Sequence, residues 1–513
     1  MSDHNEPSDL NEPSDVNEPH DVVPLAALGF PGDELENDDD DDDVDDEDAE
    51  PTEQSAVNEP AEPSDASRAA GDAVFAALLE RVGEAAPRPR LEPTRRVMDL
   101  LGDPQRTYPI IHIAGTNGKT STSRIAESIL RAYGLRTGLM TSPHLVRLNE
   151  RIMIDGEPIS DELLATNWDD IAPYLAMVDS ELEKEGEVAL TFFEALTVLA
   201  FACFADAPVD VAVIEVGMGG EWDSTNVADG QVAVFTPIAL DHMERLGRTI
   251  AEIARTKSGV IKPAAAVVSA AQTAEARSEI DRAVGLSEST LAVEGETFEL
   301  LESRVAVGGQ LISVRGIAGT YSELFLPLYG SHQAQNAAVA IAAVESFLGS
   351  GTQALVGDLL AEGLGTVTSP GRLQLVGVEP TVFIDAAHNP HGAAALATAL
   401  DEYFDFDEIV AVVGILADKD ALGIIDALAP RVSRFHVTQS HSERSRDVDT
   451  LADMIAERTS EATTFRFENP SDALDDARAW AASEPKRAVI VTGSITLVGE
   501  ALTLADSGEW MTP

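Results

Sequence analysis

Residues 112–121 read HIAGTNGKTS. A Gly-Lys-Thr set between an apolar run and a helix-forming stretch is a way for a chain to hold a polyphosphate. Gly115 and Gly118 let successive backbone N–H groups of Gly115, Thr116, Asn117, Gly118 and Lys119 curl around phosphate oxygens. The Lys119 amine supplies a cation to the β- and γ-phosphates, and Thr120 or Ser121 can face Mg2+. The generic phosphate-loop pattern asks for a further glycine where Ile113 stands, so the match is one glycine short while its mechanics survive. A plain strand-to-helix turn with a surface lysine is the competing reading. The strand before and the helix after favour the nucleotide.

Two more stretches bear on the same chemistry. IEVGMGGEWDSTN puts Glu215 at the end of an apolar strand, and PIALDH puts Asp241 and His242 at the end of the next. A carboxylate and an imidazole at strand ends beside a phosphate loop suit Mg2+ ligation or the positioning of water. Alone, a strand-end histidine reads as structural; beside that loop it reads as a ligand.

The elements that must position these residues alternate. From about Asp72, strand-like runs (TYPIIHIAG, TGLMTS, VDVAVIEVG, VAVFTPIAL) are interleaved with helical ones (KTSTSRIAESILRAYG, TFFEALTVLAFACFADA, TIAEIARTKSGVI). This predicts an α/β fold with a mostly parallel sheet covered on both faces. Residues 290–328 read as shorter antiparallel strands, LAVEGETFELLES, RVAVGG and QLISVRG, before the helix HQAQNAAVAIAAVESFL. A second alternation from TVFIDAAHN to RAVIVTGSI predicts a smaller Rossmann-like α/β domain. The division is placed at GTVTSPGRLQ: an acidic tail over 1–66, a nucleotide-binding domain over 67–368 and a C-terminal domain over 369–513.

Composition narrows the function classes. The chain has 513 residues and a net charge of −56, and residues 1–66 hold no Lys or Arg. That segment repeats NEPSD and runs through consecutive aspartates, too little apolar content for a core, so it reads as disordered. Strong negative charge argues against a nucleic-acid partner, and no apolar run spans a bilayer. The one cysteine, Cys203, lies in an apolar stretch. It rules out a disulfide framework and fits a reducing cytoplasm.

Taken in order, HIAGTNGKTS, TSPHLVRLNERI, TFFEALT, IEVGMGGEWDSTN, LDHMERLG, ARTKSGVIK, GSHQAQNAAVA, PGRLQ and DAAHNP resemble the folylpolyglutamate synthase/dihydrofolate synthase family of Mur-type amide ligases. The resemblance covers roughly residues 70–510. It implies a Mur-ligase-type phosphate-loop domain followed by a Rossmann-like ligase domain. It also implies an ATP-dependent enzyme that phosphorylates a folate carboxylate and lets L-glutamate attack the acyl phosphate. The substrates implied are dihydropteroate, reduced folates and L-glutamate, with ATP and two Mg2+ sites, room for a monovalent cation, and a monomeric cytoplasmic protein.

Residue by residue, the resemblance assigns the triphosphate to Lys119 and residues 115–121, and one Mg2+ to Ser142 and Glu215. It assigns the second metal to Glu215, His242 and Lys257, the lysine carbamylated so that an anionic, oxygen-rich group replaces the ammonium. Gln333 and Asn336 resemble adenine-side contacts, and Arg372 and Asp385 the pair by which the second domain closes on ATP. His388 falls where glutamate and acyl phosphate meet, and Lys419 could neutralise a substrate carboxylate. Phe192, Phe193 and Glu194 resemble a pterin-pocket wall, although either phenylalanine could equally be helix core; residues 88–97 resemble the pteroate segment. Glu221, Thr256 and Ala386 depart from the family's usual Arg, Glu and Gly. The rival readings are a monofunctional folylpolyglutamate synthase, another Mur-type ligase and a nucleotide-binding regulatory protein.

Overall fold

In the computed structural model the described residues are 64–84, 88–459, 462–508 and 510. The acidic segment read as a tail lies, through residue 63, outside them. The first helix, Asp65–Leu79, begins behind Ser64, whose hydroxyl accepts the Ser67 N–H.

The first lobe is built on eight strands. They are β1 (Ile110–Ala114), β2 (Thr137–Met140), β3 (Ile152–Ile154), β4 (Glu157–Pro158), β5 (Val211–Glu215), β6 (Val232–Phe235), β7 (Ala266–Ser269) and β8 (Thr290–Val293). Their spatial order is β4-β3-β2-β5-β1-β6-β7-β8. β3 pairs antiparallel with both β2 and β4; the other pairs are parallel. Alternate side chains enter opposite cores, as the period-two geometry of a strand requires. Ile111, Ile113 and Val213 pack with the helices Lys119–Ala132 and Ser331–Gly349. Ile110, Ala212 and Ile214 pack with the helices Asp161–Glu185 and Phe192–Asp206. With both faces covered, the strands carry near-continuous apolar runs. Ile113 is one of these core residues, which explains the missing glycine: position 113 is still inside β1.

One expectation is corrected. LAVEGETFELLES is not one antiparallel strand. Its start is β8, a parallel strand at the edge of the large sheet. Its end opens β9 (Glu299–Ala306), which pairs antiparallel with β10 (Gly309–Arg315); β10 in turn pairs with β11 (Thr320–Leu326). The turn at Gly295, with φ of +83°, separates the two sheets. RVAVGG is thus the end of β9 and the turn into β10, and β11 is a third strand.

The second lobe has six strands, β12 (Gln374–Val378), β13 (Thr381–Ile384), β14 (Glu408–Val413), β15 (Arg434–Val437), β16 (Thr463–Arg466) and β17 (Arg487–Thr492). Their order is β12-β13-β17-β14-β15-β16, all parallel except the β12 edge. Parallel neighbours put their carboxyl ends on one side of a sheet, where ligands of open α/β folds sit. In the first lobe β1, β2, β5 and β6 deliver the phosphate loop, Ser142, Glu215 and Asp241–His242 to one edge. In the second, β13 and β14 deliver Asp385–His388 and Lys419.

Candidate active site

One cavity of about 520 Å³ collects both edges. Gly115 to Ser121, Ser142, Glu215, His242, Lys257, Gln333 and Asn336 line it from the first lobe; Arg372, Asp385, His388 and Lys419 line it from the second. The phosphate loop needs its glycines. Gly118 has φ of +88°, and a Cβ there would collide with the Asn336 carboxamide; a Cβ on Gly115 would collide with Thr236. Lys119 heads the helix that follows and directs Nζ to the Thr116 carbonyl at 3.2 Å. Asn336 Nδ2 donates to Gln333 Oε1 at 3.0 Å, so this buried pair sits against the loop itself.

Glu215 ends β5 and is 2% exposed. Both its oxygens take the Thr120 hydroxyl, at 3.1 and 3.0 Å, and Oε2 takes the Ser142 N–H at 3.3 Å. Burial pushes its carboxyl above the ordinary carboxylate range, against the pull of Lys119 and Arg372. A desolvated carboxylate flanked by two hydroxyl-bearing residues is an all-oxygen donor set of the kind Mg2+ takes.

The second metal grouping does not stand ready. Among the described residues, no three His, Cys, Asp or Glu side chains come together as a metal cage. Lys257, 4% exposed, gives Nζ to the Gly115 carbonyl at 2.6 Å, and a cation there adds nothing to a metal shell. Burial, reinforced by Lys119, lowers its pKa to about 7, so half its amine is neutral at that pH.

Asp241 is the hub between the lobes. Lys419 Nζ lies 3.1 Å from Oδ1, while His388 Nε2 and His242 Nε2 lie 4.0 and 3.9 Å from Oδ2. These three cationic or titratable neighbours outweigh burial and hold the Asp241 carboxyl far below the usual range. Lys419 is therefore engaged with Asp241 rather than free for a substrate. His388 Nδ1 lies 2.9 Å from the Ala386 carbonyl, which can only accept, so the proton sits on Nδ1 and Nε2 carries a lone pair. Burial lowers this imidazole to about 4, leaving it neutral near pH 7. Asp385 accepts the Leu373 and Ala387 N–H groups, each at 2.8 Å, and so shapes the turn that carries His388.

A side pocket of about 80 Å³ shares Glu84, Gly217 and Met218 with the main cavity. Arg88, Arg90, Phe193, Glu194, Trp222 and Asp223 also line it. Of the three residues read as a pterin wall, the structure treats each differently. Phe193 faces the pocket and lies against Gly217. Phe192 lines neither cavity: it is core, edge-on to Phe75 at 6.5 Å with the Arg151 guanidinium over its ring. Glu194 reaches the pocket, but Arg90 grips both its oxygens at 2.9 and 3.0 Å and the Thr191 N–H takes Oε2 at 2.7 Å. The site also contains groups not singled out from sequence: Trp222 and Asp223 in the side pocket, and Glu84, Arg151 and Arg444 in the main one. WDST directly after a strand end was the available signal for the first two.

Two family models divide the chain along the same lines. The Mur ligase middle domain matches residues 113–344, and the Mur ligase glutamate ligase domain matches residues 371–495. This is the architecture of an ATP-dependent ligase of the Mur class. The dihydrofolate synthase/folylpolyglutamate synthase of Mycobacterium tuberculosis is 44% identical over 443 residues, 82% of this chain and 91% of the relative. The Mycobacterium tuberculosis folylpolyglutamate synthase structure with ADP and AMPPCP superposes with a TM-score of 0.81, covering 86% of this chain and 99% of that one. Escherichia coli FolC in complex with DHPP and ADP, 29% identical, gives 0.74 over 85% and 98%. The chain belongs to the dihydrofolate synthase/folylpolyglutamate synthase family.

Proposed function

We propose that the protein joins L-glutamate to dihydropteroate, forming dihydrofolate, and to tetrahydrofolates, forming their polyglutamates. The observation that carries this reading is the joining, in one cavity, of a phosphate loop from one lobe with His388, Asp385 and Lys419 from the other. That cavity is lined by six Lys or Arg and four Asp or Glu, a cationic surplus in a chain of net charge −56. Such a surplus suits a triphosphate, a dicarboxylic amino acid and a carboxylate acceptor meeting together.

In the proposed reaction, an oxygen of the acceptor carboxylate attacks the γ-phosphorus and ADP leaves. The glutamate nitrogen then attacks the acyl carbon, phosphate departs with the oxygen it gained, and an amide remains. The loop and Lys119 hold the β- and γ-phosphates, and Arg372 reaches the transferring group from the second lobe. The lone pair on His388 Nε2, beside Asp241, accepts from the incoming amine. The acceptor's flat ring enters the side pocket between Phe193, Trp222 and Asp223, and Arg88 and Arg90 belong to its rim. Gln333 and Asn336 lie on the nucleotide side of the cavity.

Glu215, Thr120 and Ser142 would hold a Mg2+, which would supply neutralisation of phosphate charge. The half-neutral amine of Lys257 suits addition of carbon dioxide, and the carbamate would complete a second set with Glu215 and His242. Residues 67–368 and 369–513 are read as the two working domains.

The test is isotopic. With 18O in the acceptor carboxylate, one label should appear in inorganic phosphate and one in the amide. Absence of label in phosphate would contradict an acyl-phosphate route.

A further inference from the structure

The amide of Asn117, within the phosphate loop, is bonded at both ends to the second lobe, and the direction of each bond is fixed. Asn389 caps the helix Pro390–Tyr403: its Oδ1 accepts the Gly392 N–H at 2.8 Å. Its Nδ2 is therefore the donor, and it reaches Asn117 Oδ1 at 3.0 Å and Asp241 Oδ2 at 3.4 Å. Asn117 Oδ1 being the acceptor, Asn117 Nδ2 donates to His391 Nδ1 at 3.0 Å, which places the imidazole proton on Nε2. Behind the side chain, the Thr116 and Asn117 N–H groups lie 3.0 and 3.4 Å from the Pro237 carbonyl. The loop is thus clamped on one side and latched on the other.

We propose that Asn117 is a positioning residue that couples the shape of the phosphate loop to the docking of the Asp385–His391 segment, and so sets where His388 stands against the reacting group. His388 is the chain neighbour of Asn389, so a shift of the latch is passed on within one residue. The partners lie 272 and 274 positions apart in the chain, so the bonds exist only while the lobes are together. They border a cavity, and each is weak enough to break and remake in every turnover. A polyphosphate that reshapes the loop must move Asn117, and with it the latch.

The inference rests on the ligase reading, which wild-type turnover tests alone; ratios between variants test only the coupling. The experiment compares Asn117→Ala, Asn389→Ser and their double variant. Serine keeps the helix cap while removing the donor. The readouts are kcat and glutamate KM with ATP and tetrahydrofolate, equilibrium affinity for AMPPCP, and the thermal midpoint as a check of folding. Each single change should lower kcat by about tenfold, the scale of one or two net hydrogen bonds, with AMPPCP affinity within about threefold. The double should lose clearly less than the product of the two single losses, because the Asn117–Asn389 bond is deleted by both. His391→Asn, whose amide can offer an oxygen where Nδ1 stands, should turn over at least about fivefold faster than His391→Leu. Losses that multiply in the double, nucleotide affinity that falls in step with kcat, or equal damage from the two His391 changes would overturn the proposal.

Discussion

Arg372 offers the sharpest separation of binding from chemistry. It lines both the main cavity and a smaller neighbouring one, and its charge reaches Glu215 and Asp385. None of the hydrogen bonds or ion pairs found among the described residues uses its guanidinium. Arg372→Ala should therefore disturb folding little, by less than about 1 kcal/mol. The loss should fall on the transferring phosphoryl group. A preorganised donor aimed at developing charge in a secluded site contributes roughly 3–4 kcal/mol, or 10²–10³ in kcat. In the proposed reaction the loop and Lys119 of the other lobe hold the nucleotide, so its affinity should change by no more than about threefold. Glutamate-dependent ADP release gives the first quantity, and calorimetric titration with AMPPCP gives the second. Unchanged turnover would refute the role, and so would a loss of affinity as large as the loss of turnover.

Other consequences follow from the same geometry. Glu215→Gln removes a buried charge but keeps an acceptor for Thr120 and Ser142. The nucleotide-free protein should be as stable as wild type or more so, while the extra thermal stabilisation by Mg2+ with AMPPCP should vanish; a retained Mg2+-dependent shift would contradict the assignment. Gly118→Ala forces a side chain into left-handed backbone, about 1–2 kcal/mol, and into Asn336. AMPPCP affinity measured by calorimetry should fall more than about tenfold, and unaltered affinity would remove the loop from nucleotide binding. The Lys257 ammonium drops from 10.5 unfolded to about 7 folded, so between those values the unfolded chain holds the extra proton. Its contribution to stability is therefore unfavourable below pH 7 and is relieved as pH rises toward 10.5. Lys257→Met should flatten that part of a urea-midpoint profile against pH, and an unchanged slope would mean the amine is not desolvated as placed.

Much of the fold could be read from local pattern. Strands buried on both faces are continuous apolar runs, and the helix Lys119–Ala132 begins behind Gly118 and ends before Gly134, whose φ is +76°. Residues at strand ends could be assigned to one edge because parallel sheets align their carboxyl ends. Other features resisted. β12 and β16 are short edge strands with half-buried patterns, weak signals in sequence. The 25-residue helix Asp161–Glu185 carries Pro173 inside it, a residue that argues locally against a helix. Side chains also carry several plausible duties. Glu194 could cap a helix, pair with Arg90 or meet a ligand, and only packing shows that the first two are occupied. The Asn117–Asn389–His391 contacts had no local signal, since they join segments about half a chain apart.

The central claim is that this chain spends ATP to attach glutamate to pterin acids. The most direct measurement is ADP release by the purified protein with Mg2+ and L-glutamate, offering dihydropteroate, a tetrahydrofolate or a UDP-muramyl peptide in turn. The account predicts glutamate-dependent release with both pterin acceptors and none with the peptide. Release with the folate alone would leave a chain extender and contradict the dihydropteroate half of the proposal. No release with either pterin, from protein that still binds AMPPCP, would contradict the account as a whole.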